Sequence, residues 1–208
     1  MIIKICGITD PQDAIDAAKF GADWVGILLS KKAKHFVSSA QGKEIAQAAR
    51  EHGIKPIGVF VDEHADEILD SCANVGVNTV QLHGKASKQY IHLLLPIYEL
   101  IFTLGVSNDG VIDHDDIDII QTVGRGHKDL PSWMLFDCAN SGTKFHPPFR
   151  CPWLLSGGIT PHNVQEAISL LNPNGIEVST SVEKPGTVRK DPRLVENLIR
   201  NVRDKVES

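Results

Sequence analysis

"KICGIT", residues 4–9, lies inside the opening run MIIKICGITD. Ile2, Ile3 and Ile5 are β-prone, Gly7 breaks the run, and Thr9-Asp10-Pro11 carries the signature of a helix start. The stretch therefore predicts a strand, a tight turn and a helix, with a thiol where the strand ends. Cys6 can be read there in two ways. It is a small apolar core residue, since free cysteine is among the most buried side chains, or a reactive group at the mouth of a parallel β/α structure.

The same unit recurs along the chain. Strands are predicted at "WVGILL" (24–29), "PIGVFV" (56–61), "TVQLH" (79–83), "YELIFTL" (98–104), "WMLFD" (133–137), "WLLSG" (153–157) and "GIEVS" (175–179). Helical patterns lie between them. "DPQDAIDAAKFG" is capped by Asp10 and stopped by Gly21, and "SAQGKEIAQAAREH" (39–52) ends at Gly53. In "TPHNVQEAISLL" (160–171) Thr160 is the expected cap and Pro161 the first helical residue. "DPRLVENLIRNVRDKV" closes the chain, and the acidic "DHDD" (113–116) suits a helix N-terminus. After Asp137, "CANSGTKFHPPFRC" leaves room for one helical turn at most, so the sixth helix is expected to be reduced.

Strict alternation of strands and helices favours a parallel sheet with right-handed crossovers. "CGITDP" is not the G-x-G-x-x-G fingerprint of an open dinucleotide-binding sheet, and eight strand units favour closure into a (β/α)₈ barrel. No Pro/Ser-rich linker divides the 208 residues, which predicts one barrel domain over 1–208. A net charge of −5 gives no basic footprint for nucleic acid. Cys6, Cys72, Cys138 and Cys151 lack metal-ligand or disulfide-framework spacing, so a reducing cytoplasm is the expected setting. The longest apolar run, 93–104, is too short for a bilayer and contains Pro96 and Glu99.

In a barrel of this kind chemistry belongs at the C-terminal ends of the strands. The residues expected there are Cys6, His35, Asp62, His83, Asp137, Gly157-Gly158 and Ser179-Thr180-Ser181. Backbone amides in the turns after strands 7 and 8 commonly cradle phosphate, although a glycine pair also serves a plain strand-to-helix turn.

These pieces, taken in order, resemble the phosphoribosylanthranilate isomerases. The motifs that carry the likeness are "KICGIT", "GADWVGILL", "GVFVDE", "VQLHG", "LFD", "SGTKF", "LSGGITPHNV" and "EVSTSVEKPG", spread from residue 4 to residue 186 in register with the predicted strands. The resemblance implies an Amadori rearrangement of a phosphosugar substrate in tryptophan biosynthesis. It implies neither cofactor nor metal, and no nucleic-acid or membrane partner, in a monomer or homodimer. It makes Cys6 the base that removes the proton from sugar C2, and Asp137 the acid that protonates the ring oxygen. Such roles call for a thiol pKa matched to the task and a carboxyl pKa raised by burial. Asp137 has a second reading as a cap for the turn that follows it, and His83 can be a hydrogen-bonded structural residue. Cys138 and Cys151 read as packing residues, and Thr143 and Lys144 fall in a loop expected to act as a lid.

The sequence also departs from the family pattern. His35 replaces an arginine expected to hold the anthranilate carboxylate, with Lys34 and Lys144 as alternative holders. Glu177 stands where an aspartate is usual, and Ser181 replaces a glycine, which is expected to strain a phosphate-binding turn. The substrate-holding set is thus His35, His83, Lys144, Gly157, Gly158, Thr180 and Ser181. The competing reading is a barrel that binds a phosphosugar without turning it over.

Overall fold

A computed structural model describes residues 1–126 and 130–207. Its eight strands are β1 (Ile2–Ile5), β2 (Trp24–Leu28), β3 (Lys55–Phe60), β4 (Thr79–Leu82), β5 (Glu99–Val106), β6 (Trp133–Cys138), β7 (Trp153–Ser156) and β8 (Gly175–Val178). Each pairs in parallel with its sequence neighbours, and β8 returns to β1 with Ile2 opposite Gly175 and Ile5 opposite Val178, closing the barrel. All eight strands lie where the apolar runs predict them.

The helices are α1 (Pro11–Phe20), α2 (Ser39–Glu51), α3 (Ala65–Val75), the short α4 (Lys85–Lys88) and α5 (Ile91–Leu94), α6 (His114–Gly126), α7 (Val164–Leu171) and α8 (Pro192–Glu207). The start of α1 follows from its first residues. The Asp10 carboxylate accepts the Gln12 N–H at 2.8 Å, Pro11 gives up no needed donor, and Gly21 ends the helix at φ 99°. In α7 the expected start is displaced. Thr160 Oγ1 accepts the N–H groups of His162 and Asn163, while Asn163 Oδ1 accepts the Thr160 N–H at 2.7 Å. These local bonds make a turn of 161–163 and hand the cap to Asn163.

No helix follows β6 among the described residues. Phe145 does part of its work: the ring packs on Phe136 and Trp153 at centroid distances of 4.9 and 5.7 Å, covering the outer face of the sheet.

The period-two alternation of the strands separates two apolar clusters. Ile3, Ile5, Val25, Ile27, Phe60, Leu82, Phe102 and Phe136 join the layer beneath the helices. Trp24, Ile57, Ile101, Leu135 and Leu154 form a second cluster within the barrel, with the Trp24 and Trp133 rings edge to face at 4.9 Å. Burying each of these side chains is worth about 1.5–3 kcal/mol. They fill the lower barrel, so the open space is left at the C-terminal ends of the strands. No helix among the described residues is long and apolar enough to cross a membrane.

Candidate active site

A cavity of about 550 Å³ occupies those strand ends. Cys6, His83, Asp137, Gly157, Gly158, Thr180 and Ser181 all line it, brought together from β1, β4, β6, β7 and β8. His35 and Lys144 are not among its lining residues.

Cys6 follows β1, with its N–H donating to Val178 O at 2.8 Å. The residue is 5% exposed. Room for its sulfur comes from Gly26 on β2, where a Cβ would stand 2.5 Å from Sγ and 3.2 Å from the Cys6 Cα. The surroundings do not lower the thiol pKa. Burial, reinforced by the Glu177 carboxylate, pushes it up to about 11, against the opposing pull of Lys4 and Lys190. In the free protein the group is a thiol.

Asp137 is the penultimate residue of β6; its side chain is 39% exposed, with Oδ2 3.7 Å from His83 Nε2. Burial raises its pKa, as a general acid requires; His83 opposes the shift and Glu177 adds to it. His83 lines the same cavity and lies within ion-pair distance of Asp137.

The glycine pair is dictated by crowding. Gly157 has φ 89°, and a Cβ there would collide with the Cys138 carbonyl; Gly158 has φ 65°, and a Cβ would meet Ser141 N at 3.0 Å. Asn163 Nδ2 ties this turn together by donating to Gly158 O and Ser141 Oγ, each at 2.9 Å. After the neighbouring strand β8, Thr180–Val182 forms a single 3₁₀ turn. The strain expected at Ser181 is absent: Asn172 is the only non-glycine of positive φ among the described residues. Serine fits because the 3₁₀ turn uses right-handed backbone, which any L-residue adopts. Its Oγ is buried without a protein partner.

His35 stands behind the cavity wall. It is 6% exposed, its Nε2 lies 2.5 Å from Glu183 Oε1, and its ring leaves only 3.0 Å to a Cβ on Gly7. Burial lowers its pKa while the Glu183 hydrogen bond acts the other way, so the imidazole is neutral near pH 7. Glu183 also gathers Lys34 at 3.0 Å and the buried Lys190 at 3.2 Å. Lys144 is exposed, between the buried Thr143 and Phe145.

Two parts of the site escaped the sequence reading. Lys4 is fully buried, and its Nζ bonds both Gln81 Oε1 and Glu177 Oε2 beneath the thiol. The signal was available, because Lys4 and Cys6 are two residues apart on one strand and must share a face. Gly26 as the pocket for Sγ is legible only once β1 and β2 are paired. Among the described residues no group of three or more His, Cys, Asp or Glu could hold a metal ion.

Fold and site together define a (β/α)₈-barrel protein with a thiol and an upward-shifted carboxyl facing one cavity, an arrangement suited to acid–base chemistry on a small polar substrate. The sequence profile of the family described as N-(5'-phosphoribosyl)anthranilate (PRA) isomerase matches residues 3–201. The N-(5'-phosphoribosyl)anthranilate isomerase of Chlamydia felis is 35% identical over 210 residues, covering 98% of this chain and 97% of its own. The crystal structure of phosphoribosyl anthranilate isomerase from Thermotoga maritima superposes with a TM-score of 0.79 at 29% identity, covering 98% of this chain and 100% of that one. A phosphoribosyl anthranilate isomerase in complex with reduced 1-(o-carboxyphenylamino)-1-deoxyribulose 5-phosphate does so with a TM-score of 0.77 at 27% identity and the same coverage. This chain belongs to the N-(5'-phosphoribosyl)anthranilate isomerase family.

Proposed function

We propose that Cys6 and Asp137 are the base and the acid of the reaction this isomerase performs in tryptophan biosynthesis, the Amadori rearrangement of N-(5'-phosphoribosyl)anthranilate to 1-(o-carboxyphenylamino)-1-deoxyribulose 5-phosphate. The observation that carries the assignment is that both groups line one cavity, beside the glycine turn after β7 and the 3₁₀ turn after β8.

Asp137 in its protonated form gives its proton to the ring oxygen as the C1–O bond breaks, and the anilino nitrogen supplies the electron pair that becomes the C1=N bond. Cys6 then takes the proton from C2, leaving an enolamine that tautomerises to the ketose. The raised thiol pKa is consistent with this order. The ring-opened intermediate is a protonated imine, and a cation beside the sulfur favours the thiolate at the step that needs it. Lys4 and Lys190 pull in the same direction.

The phosphate is assigned to Gly157, Gly158, Thr180 and Ser181, whose backbone amides and hydroxyls are the donors of that corner. The anthranilate carboxylate is assigned to the exposed Lys34, which Glu183 holds together with the buried His35. Residues 1–208 are read as a single catalytic domain.

The thiol's raised pKa is the one feature that favours a phosphosugar-binding barrel without turnover. An assay following the loss of phosphoribosylanthranilate fluorescence separates the two. Consumption by the wild type supports the isomerase, and a folded protein inactive at millimolar substrate supports the binder.

A further inference from the structure

Three side chains inside the barrel form a polar chain beside the acid–base pair, and none of them transfers a proton in the proposed reaction. Lys4 on β1 and Glu177 on β8 are direct register partners, and Gln81 reaches the same ammonium from β4, across the barrel. All three are buried, with exposures of 0% for Lys4, 1% for Gln81 and 6% for Glu177.

The chemistry of lysine settles which end of the Gln81 amide faces which way. An ammonium only donates, so the amide atom that meets Lys4 Nζ has to be the oxygen. The Nε2 group is thereby turned away from Lys4, and it finds no partner in the protein. An unpaired buried N–H is costly to keep unless something else accepts from it.

Gln81 and Ser181 are the two cavity-lining residues, among those described, with a buried polar side-chain atom lacking a protein partner. Ser181 Oγ lies in the corner assigned to phosphate. Gln81 lies elsewhere in the lining, bonded directly to Lys4, which stands two places before Cys6 on the same strand face.

From this geometry we infer that Gln81 binds the substrate's sugar chain, its Nε2 donating to the oxygen on C2, with Lys4 and Glu177 as positioning residues that hold the amide in that orientation. The inference rests on the isomerase reading above. Its physical sense lies in the course of the reaction. The oxygen on C2 begins as a hydroxyl, is still one in the enolamine that forms when Cys6 removes the C2 proton, and becomes the carbonyl as that enolamine tautomerises, so its need for a donor grows in this last step. A donor already locked in place favours the later states over the ground state.

Gln81→Glu tests this, because the carboxylate still accepts from Lys4 but carries no N–H. Steady-state kinetics on phosphoribosylanthranilate should show kcat about 10- to 100-fold lower with a smaller change in KM. Competitive inhibition by inorganic phosphate should stay within about twofold of the wild type. Gln81→Met, which removes donor and acceptor together, should lose at least as much and serves where the glutamate variant fails to fold. A wild-type complex with the reduced product should place Nε2 within about 3.2 Å of a sugar-chain oxygen. Wild-type kcat and KM in either folded variant would overturn the inference, as would parallel loss of catalysis and phosphate binding, which signals a purely structural role. Should the wild type bind phosphate but fail to consume the substrate, the isomerase reading itself fails and takes this inference with it.

Discussion

Replacing Gly26 by alanine moves the thiol without touching its chemistry. A Cβ at residue 26 would stand 2.5 Å from Cys6 Sγ, 3.2 Å from Cα and 3.3 Å from Cβ, where ordinary contacts are 3.4–4 Å. The sulfur must give way by about 1 Å, or β1 and β2 must part by a similar amount. Overpacking of this kind costs about 1–3 kcal/mol of stability. A displacement of about 1 Å at a reacting group costs on the order of 100-fold in rate. Gly26→Ala is therefore expected to fold with a lowered unfolding midpoint and to lose about 100-fold in kcat. The control is the same substitution in a Cys6→Ala background. There the tightest of the three contacts is gone, so Gly26→Ala should cost much less stability, and the two substitutions should be clearly non-additive. Denaturant unfolding of the four proteins and turnover of wild type and Gly26→Ala supply the data. Wild-type kcat in Gly26→Ala, or additive stabilities across the cycle, would refute the argument that Gly26 exists to seat the sulfur.

Asp137→Asn should raise thermal stability at pH 7 to 8. The folded pKa of Asp137 lies above its unfolded value, so the ionised carboxyl disfavours the fold once pH passes the folded pKa, and asparagine mimics the neutral form. The advantage should vanish near pH 3, where both states bind the proton; a gain that does not depend on pH would point to a packing effect. Cys6 should alkylate slowly, because a thiol at about 11 is ionised to only about one part in a thousand at pH 8. Mass spectrometry of the Cys6 peptide should show the rate with iodoacetamide rising through pH 10, and a plateau near pH 8 would contradict the upward shift. A crystal soaked in phosphate should hold the anion among Gly157, Gly158, Thr180 and Ser181, and density elsewhere in the cavity with this corner empty would reject that assignment. Burial holds His35 below its ordinary value, so its charge appears only as pH falls below about 6.5. Between pH 7 and 5 the reduced product should gain affinity in Asp137→Asn but not in Asp137→Asn combined with His35→Gln; parallel profiles in the two proteins would leave the carboxylate to Lys34 alone.

The strands were legible because each buried run is short, β-rich and bounded by turn residues, and eight such runs imply closure. The reduced sixth unit was legible from the turn-rich 139–152, although only the structure reveals Phe145 covering the sheet there. The α7 start was misread because Thr160 and Asn163 bond each other's backbone before the helix begins, a contest that a capping pattern does not resolve. That Cys6, His83, Asp137, Gly157, Gly158, Thr180 and Ser181 face one cavity was legible because strand ends converge in a barrel. The His35 environment could not, since its partner Glu183 is 148 residues away. The thiol's upward shift was hidden for a related reason: it depends on burial and on Glu177, which comes from the opposite end of the chain.

The central claim is that Cys6 and Asp137 perform the isomerisation. Its most direct test is kcat with saturating phosphoribosylanthranilate for the wild type, Cys6→Ala and Asp137→Asn, each confirmed as folded by circular dichroism. The account predicts a drop of at least about 100-fold in each variant, the worth of one acid–base group. Near-wild-type turnover by either folded variant would contradict it.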